Sequence, residues 1–355
     1  MLVESEKKMD ETDGPLCPEK GIGAMKAVDI DAFRLADMGY AQDMTRNFST
    51  LSILGISFTL TSSWFGFSVS LVTGLSSGGT VVSVWVIPLM AFISGAVAVT
   101  LSELASSMPN AGGQYFWTTQ LAPKKYANGL AFLCGWVSWV AAIFTTASSA
   151  LGLGTLLVGV WQLTHPDFVP QAWHSVVGYL VANLFCSLFN CVGQLLPTIA
   201  TVSMYISLVS FLVVLITVPA TSGSYSDPKF VFATFTNSTG WSSSRLAFLV
   251  GLINPNWLFV CLDAATHMAE EVKSPEKIIP KAIMSTVAVG FITSWVFCLV
   301  MFFSITDLEA LLTTSTGVPI LELFYQSLKS RIGAAVLGAL ILATGFRCQV
   351  ASQTW

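Results

Sequence analysis

Asp263, His267 and Glu270 stand four and seven positions apart in the stretch LDAATHMAEE, so a helix puts all three on one face. A carboxylate beside an imidazole can take up, hold and release a proton. The stretch that leads into them is apolar, and an acid at membrane depth is costly enough to be read first as functional. Asp263 therefore takes up a proton, or binds a cation directly, or faces a water-filled vestibule with no coupling role. The residue types alone leave these open. A metal site is not expected, because one helix face supplies too few ligands.

A second set of residues could hold a small organic ligand. Trp64, Phe65, Trp257 and Phe259 could box a quaternary ammonium by cation–π attraction, worth about 0.5–2 kcal/mol for each ring. The Ser62 and Ser63 hydroxyls and free backbone amides would suit a carboxylate instead. Lipid or core packing is the plainer use for either tryptophan.

Two interrupted apolar segments must carry these residues. Leu246–Ala269 reads LAFLVGLINPNWLFVCLDAATHMA, broken at Asn254-Pro255-Asn256. Pro255 lacks an N–H and disfavours the α conformation at Asn254. Irregular backbone at membrane depth is tolerated only in protein or along a cavity. The earlier stretch LSILGISFTLTSSWFGFSVSLVTGLSSGG has Ser62, Ser63 and Gly66 at its middle. Small packing residues explain that alone. Paired with the later break, it reads as an unwound helix in the first of two inverted five-helix repeats. The two half-sites are then Ser62, Ser63, Trp64, Phe65 and Gly66, facing Asn256, Trp257, Leu258, Phe259, Val260 and Cys261.

The whole chain fits a membrane. Its 355 residues are 54% hydrophobic and 10% charged, against about 25% charged in soluble domains. Eight spans are expected, near 50–76, 81–107, 127–161, 174–193, 196–219, 246–269, 282–305 and 332–354. The third is long enough to need tilt or a re-entrant end. Residues 1–49 form a polar leader, flexible as far as Met25. The first repeat covers 50–219, a loop 220–245, and an incomplete second repeat 246–355. With the N-terminus cytosolic, eleven Lys/Arg fall inside and four outside. That topology puts the sequon at Asn237 outside and the one at Asn47 inside, where it stays silent. None of the seven cysteines suggests a structural disulfide. No basic stripe suits nucleic acid, and no motif of an enzyme appears.

Three stretches resemble the amino acid–polyamine–organocation superfamily. SELASSMPNAGGQYFW (102–117) is similar to the end of its second helix and the turn that follows. WLFVCLDAATHMAEEVKSPEKIIPKAI (257–283) is similar to its sixth helix and exit, with Pro275 and Pro280 ending one helix and starting the next. AFRLADMGYAQDMTRNFSTLSILGISF (32–58) resembles the lead-in of the fungal amino acid/choline branch, which includes choline and γ-aminobutyrate (GABA) permeases. The resemblance covers about Phe33 to Trp355.

The resemblance implies an all-α polytopic membrane protein with a LeuT-like inverted-repeat fold of ten core helices, usually with two more. Helices one and six unwind and grip the substrate, and an acid placed like Asp263 serves proton coupling in some relatives. Glu103 braces a cytosolic gate with the loop of Pro109, Gly112 and Gly113, near Glu270. The absence of a Gly-x-Gly at the first break weakens a standard α-amino-acid substrate. The chain stops at Trp355, inside or just after helix eight, so a fragment, truncated gene or incomplete gene model is expected. The function implied is proton-coupled import of a small amine-bearing solute (an amino acid, GABA or choline) across the lipid bilayer, most simply the plasma membrane. The alternative is a truncated homologue that binds ligand as a receptor or regulator, or an inactive fragment.

Overall fold

The computed structural model describes residues 27–41, 44, 46 and 48–354. The leader to residue 26, Asn47 of the second sequon and Trp355 lie outside them. A short helix α1 (Ala27–Asp37) precedes a first span that is two helices, α2 (Thr50–Thr61) and α3 (Ser63–Ser76). The second span is α4 (Gly79–Ser107), followed by the short α5 (Gly113–Leu121). The third is α6 (Ala127–Thr164), one unbroken helix of 38 residues. At 1.5 Å per residue it is about 57 Å long against a hydrocarbon core of about 30 Å, so it tilts or protrudes. Spans four and five are α7 (Ala172–Asn190) and α8 (Leu196–Thr221), which a 3₁₀ turn precedes. After a loop holding α9 (Pro228–Ala233), the sixth span comprises α10 (Ser244–Gly251), α11 (Ile253–Trp257) and a 3₁₀ segment, Leu262–Glu271. The seventh is α12 (Pro275–Phe303). Two short helices, α13 (Leu308–Leu312) and α14 (Pro319–Leu328), lead to the eighth, α15 (Arg331–Thr354).

Among the described residues, eight helical segments are thus long and apolar enough to cross a membrane. They match the eight expected spans, and the chain is an integral, multi-pass membrane protein. The seventh begins seven residues earlier than expected. Pro275 takes the first helical position, where its missing N–H costs nothing, and α12 continues through Pro280.

The first span breaks where its serines sit. Ser62 has φ 33° and ψ 52°, the left-handed conformation. The Thr61 hydroxyl donates to the Ser57 carbonyl at 3.0 Å. Side-chain oxygens competing in this way for backbone partners loosen a helix.

The sixth span breaks later than its proline suggested. Asn254 and Pro255 are buried inside α11, and Asn256 N–H donates to the Leu252 carbonyl at 3.0 Å. Pro255 lies in the first turn of this short helix, where N–H groups have no helical partner anyway. The chain unwinds instead at Leu258–Cys261, and Cys261 is left-handed at φ 62° and ψ 27°.

The core sits between the broken spans and α12. Trp64, Phe67, Phe297, Phe302 and Phe324 are among its largest fully buried side chains. Many apolar side chains of α6, α7 and α8 stay exposed, as expected of surfaces that meet lipid rather than water.

Candidate functional site

The two breaks touch. Ser63 Oγ donates to the Leu258 carbonyl at 2.7 Å, and both residues are buried. A carbonyl freed by the unwound sixth span is thus satisfied by a hydroxyl from the first. One turn further along α3, a Cβ placed on Gly66 would stand 3.7 Å from the Trp257 carbonyl. Asn254 completes the junction: its Nδ2 donates to Ser70 Oγ at 2.6 Å. A left-handed non-glycine residue costs about 1–2 kcal/mol, and this chain holds one at each break.

Beside the junction lies a cavity of about 480 Å³. Val69 of α3, Phe144, Thr145 and Ser148 of α6, and Trp257 and Val260 of the sixth span are among its lining, which carries no charged side chain. An aromatic face with nearby hydroxyls suits a small organic cation with a polar tail, since a carboxylate would find no cationic partner there.

The proposed half-sites divide in space. Trp257 and Val260 line the cavity. Trp64 is fully buried, donates from Nε1 to Ser207 Oγ at 3.0 Å, and packs on Phe211 and Phe297. Phe65 packs toward Gly345 of α15. Leu258 and Phe259 are core residues, Asn256 is exposed and Cys261 half-buried. No ring contact joins any two of Trp64, Phe65, Trp257 and Phe259 among the described residues, so the four do not form one box. Ser62 Oγ is buried without a hydrogen-bond partner among the described residues. Sequence reasoning missed the α6 wall and Asn254. The run Thr145-Thr146-Ala147-Ser148-Ser149, polar in the middle of a span, was the available signal for that wall.

Asp263, His267 and Glu270 gather at a different depth, against the loop after α4. Asp263 Oδ2 accepts from Gln114 Nε2 at 2.5 Å and lies 3.9 Å from His267 Nε2. His267 Nδ1 meets the Ala111 carbonyl at 2.9 Å. A carbonyl only accepts, so Nδ1 carries the hydrogen. Glu270 Oε1 accepts from the Ala111 N–H at 3.4 Å. Gly113 has φ +50°, and a Cβ there would sit 2.9 Å from Thr266 Oγ1, so glycine is required on both counts. The loop's Pro109 and Gly112 join the same turn.

Glu103 does not brace this loop. It is exposed on α4, whose buried residues Leu101, Ser102 and Ala105 define the opposite face, and it forms no hydrogen bond or ion pair among the described residues. Glu270 is the acid that contacts the loop, through the Ala111 N–H. At the same end, Asp31 Oδ2 accepts from Ser274 N–H at 2.8 Å and pairs with Arg46 at 3.4 Å. Arg34 pairs with Glu276 at 3.0 Å. Helix α1 is thereby fastened to the turn between the sixth and seventh spans.

Asn237 is exposed in the loop before α10, and its Oδ1 accepts from Thr239 Oγ1 at 2.6 Å.

The amino acid permease family model matches residues 48–349. The chain belongs to that family. A choline transporter of Saccharomyces cerevisiae is 50% identical over 313 residues, which cover 88% of this chain and 56% of that protein. A 7-keto 8-aminopelargonic acid transporter of the same yeast is 34% identical, over 87% of this chain and 62% of the relative. At greater distance, its GABA-specific permease is 27% identical, over 94% and 60%. The expected placement in the fungal choline and GABA permease branch holds. The chain spans less than two thirds of the length of these relatives.

Proposed function

We propose that this chain forms the substrate-binding part of a secondary transporter that imports a small amine-bearing solute, with choline favoured over GABA or an α-amino acid. The observation that carries this reading is the cavity beside the joined breaks. It offers the Trp257 and Phe144 rings and the Thr145 and Ser148 hydroxyls, and no cationic group for a carboxylate. The 50% identity to a yeast choline transporter supports the same substrate. Import is coupled to protons through Asp263, whose partners Gln114 and His267 lie toward the end of the bundle carrying Lys124, Lys125, Lys273, Lys277 and Lys281. That end is cytosolic, with the N-terminus, in the plasma membrane.

The test is uptake of radiolabelled choline by yeast cells that lack their own choline uptake and express this chain, alongside binding to the purified protein. Accumulation abolished by a proton uncoupler supports the carrier. Binding without accumulation favours a receptor, and absence of both removes choline as the ligand.

A further inference from the structure

Arg347, in α15, is a charged side chain apart from the site. It lies sixteen residues after Arg331, the first residue of the helix, about 24 Å along a hydrocarbon core of about 30 Å. One guanidinium nitrogen donates to its own helix, at the Ala343 carbonyl, 2.9 Å away. Among the described residues it has no ion pair. It opens on a cavity of about 410 Å³ between α7, α8 and α15. Phe185 and Phe189 of α7, Thr198 and Val202 of α8, and Phe346 are among the groups around it. None of these three helices contains an Asp or Glu, and neither does α6. A cation in a membrane span needs a counter-charge, and these helices supply none.

We propose that this groove binds the phosphate of an anionic phospholipid, with Arg347 as the cation and the phenylalanine rings as the bed for an acyl chain. Arginine presents its donors in a planar fork that matches two phosphate oxygens, and basic pockets between spans bind anionic lipid headgroups. The position agrees with the charge of that end of the bundle. Counting the eight spans in alternation, α15 finishes at the end where α6 and α12 begin. Lys124, Lys125, Lys273, Lys277 and Lys281 all lie at that end. The acyl wall explains why the groove is lined mainly by apolar groups although a charge sits in it. A merely snorkelling arginine would need no cavity between three helices.

Native mass spectrometry of the purified chain, equilibrated with equal phosphatidylserine and phosphatidylcholine, tests the assignment. The wild type and Arg347→Lys should retain phosphatidylserine in preference. Arg347→Gln should retain it about fivefold less well, the effect of one cation at a membrane surface. Val202→Trp keeps the arginine but fills the groove from its exposed rim, and should lower phosphatidylserine retention too. Three outcomes would overturn the proposal. They are full retention by Arg347→Gln, full retention by Val202→Trp, and no phosphatidylserine preference in the wild type. A dimer that shows no such preference would assign the counter-charge to a second copy and overturn it equally.

Discussion

Removing the Ser63 hydroxyl tests whether the bond between the two breaks shapes the cavity proposed to hold the substrate. Ser63→Ala deletes a donor 2.7 Å from the Leu258 carbonyl and leaves that carbonyl buried without it. An intramolecular hydrogen bond is worth about 0.5–1.5 kcal/mol net, and stranding a buried acceptor costs about 1–3 kcal/mol. Measured polar pairs in membrane proteins lie lower, near 0.6 with a maximum of about 1.7 kcal/mol. A cost of about 1–2 kcal/mol is the balance, which is roughly a 5- to 30-fold weaker Kd if the cavity geometry depends on the bond. A second variant reaches the same bond from outside. A Cβ on Gly290 of α12 would stand 2.6 Å from Ser63 Oγ, so Gly290→Ala pushes the hydroxyl aside without removing any polar group. Choline binding would be measured by scintillation proximity on purified protein, with thermal stability followed by tryptophan fluorescence. Both variants should bind more weakly. Lower Tm with unchanged Kd in both would show that the bond only packs two helices, and the argument that it builds the site would fail.

Trp257→Ala removes an aromatic face of the cavity and should weaken choline binding by about 2- to 30-fold, from a cation–π loss of about 0.5–2 kcal/mol; a wild-type Kd removes Trp257 from the site. Asp263→Asn keeps an acceptor for Gln114 but loses the charge, so coupled uptake should fall more than binding. Uptake whose pH dependence matches the wild type would count against the proton role. Asn237→Gln should abolish a glycan-dependent gel shift in yeast membranes, and a shift that persists contradicts the assigned topology.

Much of the architecture was legible because a bilayer simplifies the problem. Length and hydropathy alone find a span, and all eight were found. The first break was also readable, since three small or hydroxylated residues mark its centre and Ser62 is where the helix turns left-handed. The sixth was misplaced by four or five residues because a proline was read as a breaker. Whether Pro255 breaks a helix depends on whether it falls in the first turn, and sequence does not show where that turn begins. The tryptophan box was misread for a related reason. Trp64 and Trp257 have the same chemistry, but only the packing of α8 and α12 sends the first to Ser207 and Phe297. The α6 wall was missed because its hydroxyls carry no motif, only an unusual place. Arg347 escaped because one charge near a span's end looks like any interfacial anchor.

The sixth span also carries a long stretch of irregular backbone around Asp263. Leu262–Glu271 is ten residues of 3₁₀ helix, a form with poor hydrogen-bond geometry that rarely exceeds three or four residues. It runs between two left-handed residues, Cys261 and Ser274. On the cavity side it is hinged just beyond the Ser63–Leu258 bond. On the other side it is held by side-chain contacts, namely Gln114 to Asp263, His267 to Ala111, and Asp31 to Ser274. Each such contact is worth about 1 kcal/mol, while straightening either left-handed residue returns about 1–2 kcal/mol. Its apolar side chains are also buried, Leu262, Ala265 and Ala269 in one core cluster and Ala264 and Met268 in another, so the polar contacts act on a segment that is packed on both sides. Protonating Asp263 removes the charge that holds His267 and weakens its bond from Gln114. On the proposed proton-coupled import, one carboxylate would link a proton to the contacts that hold this segment, which is why Asp263→Asn should separate binding from uptake.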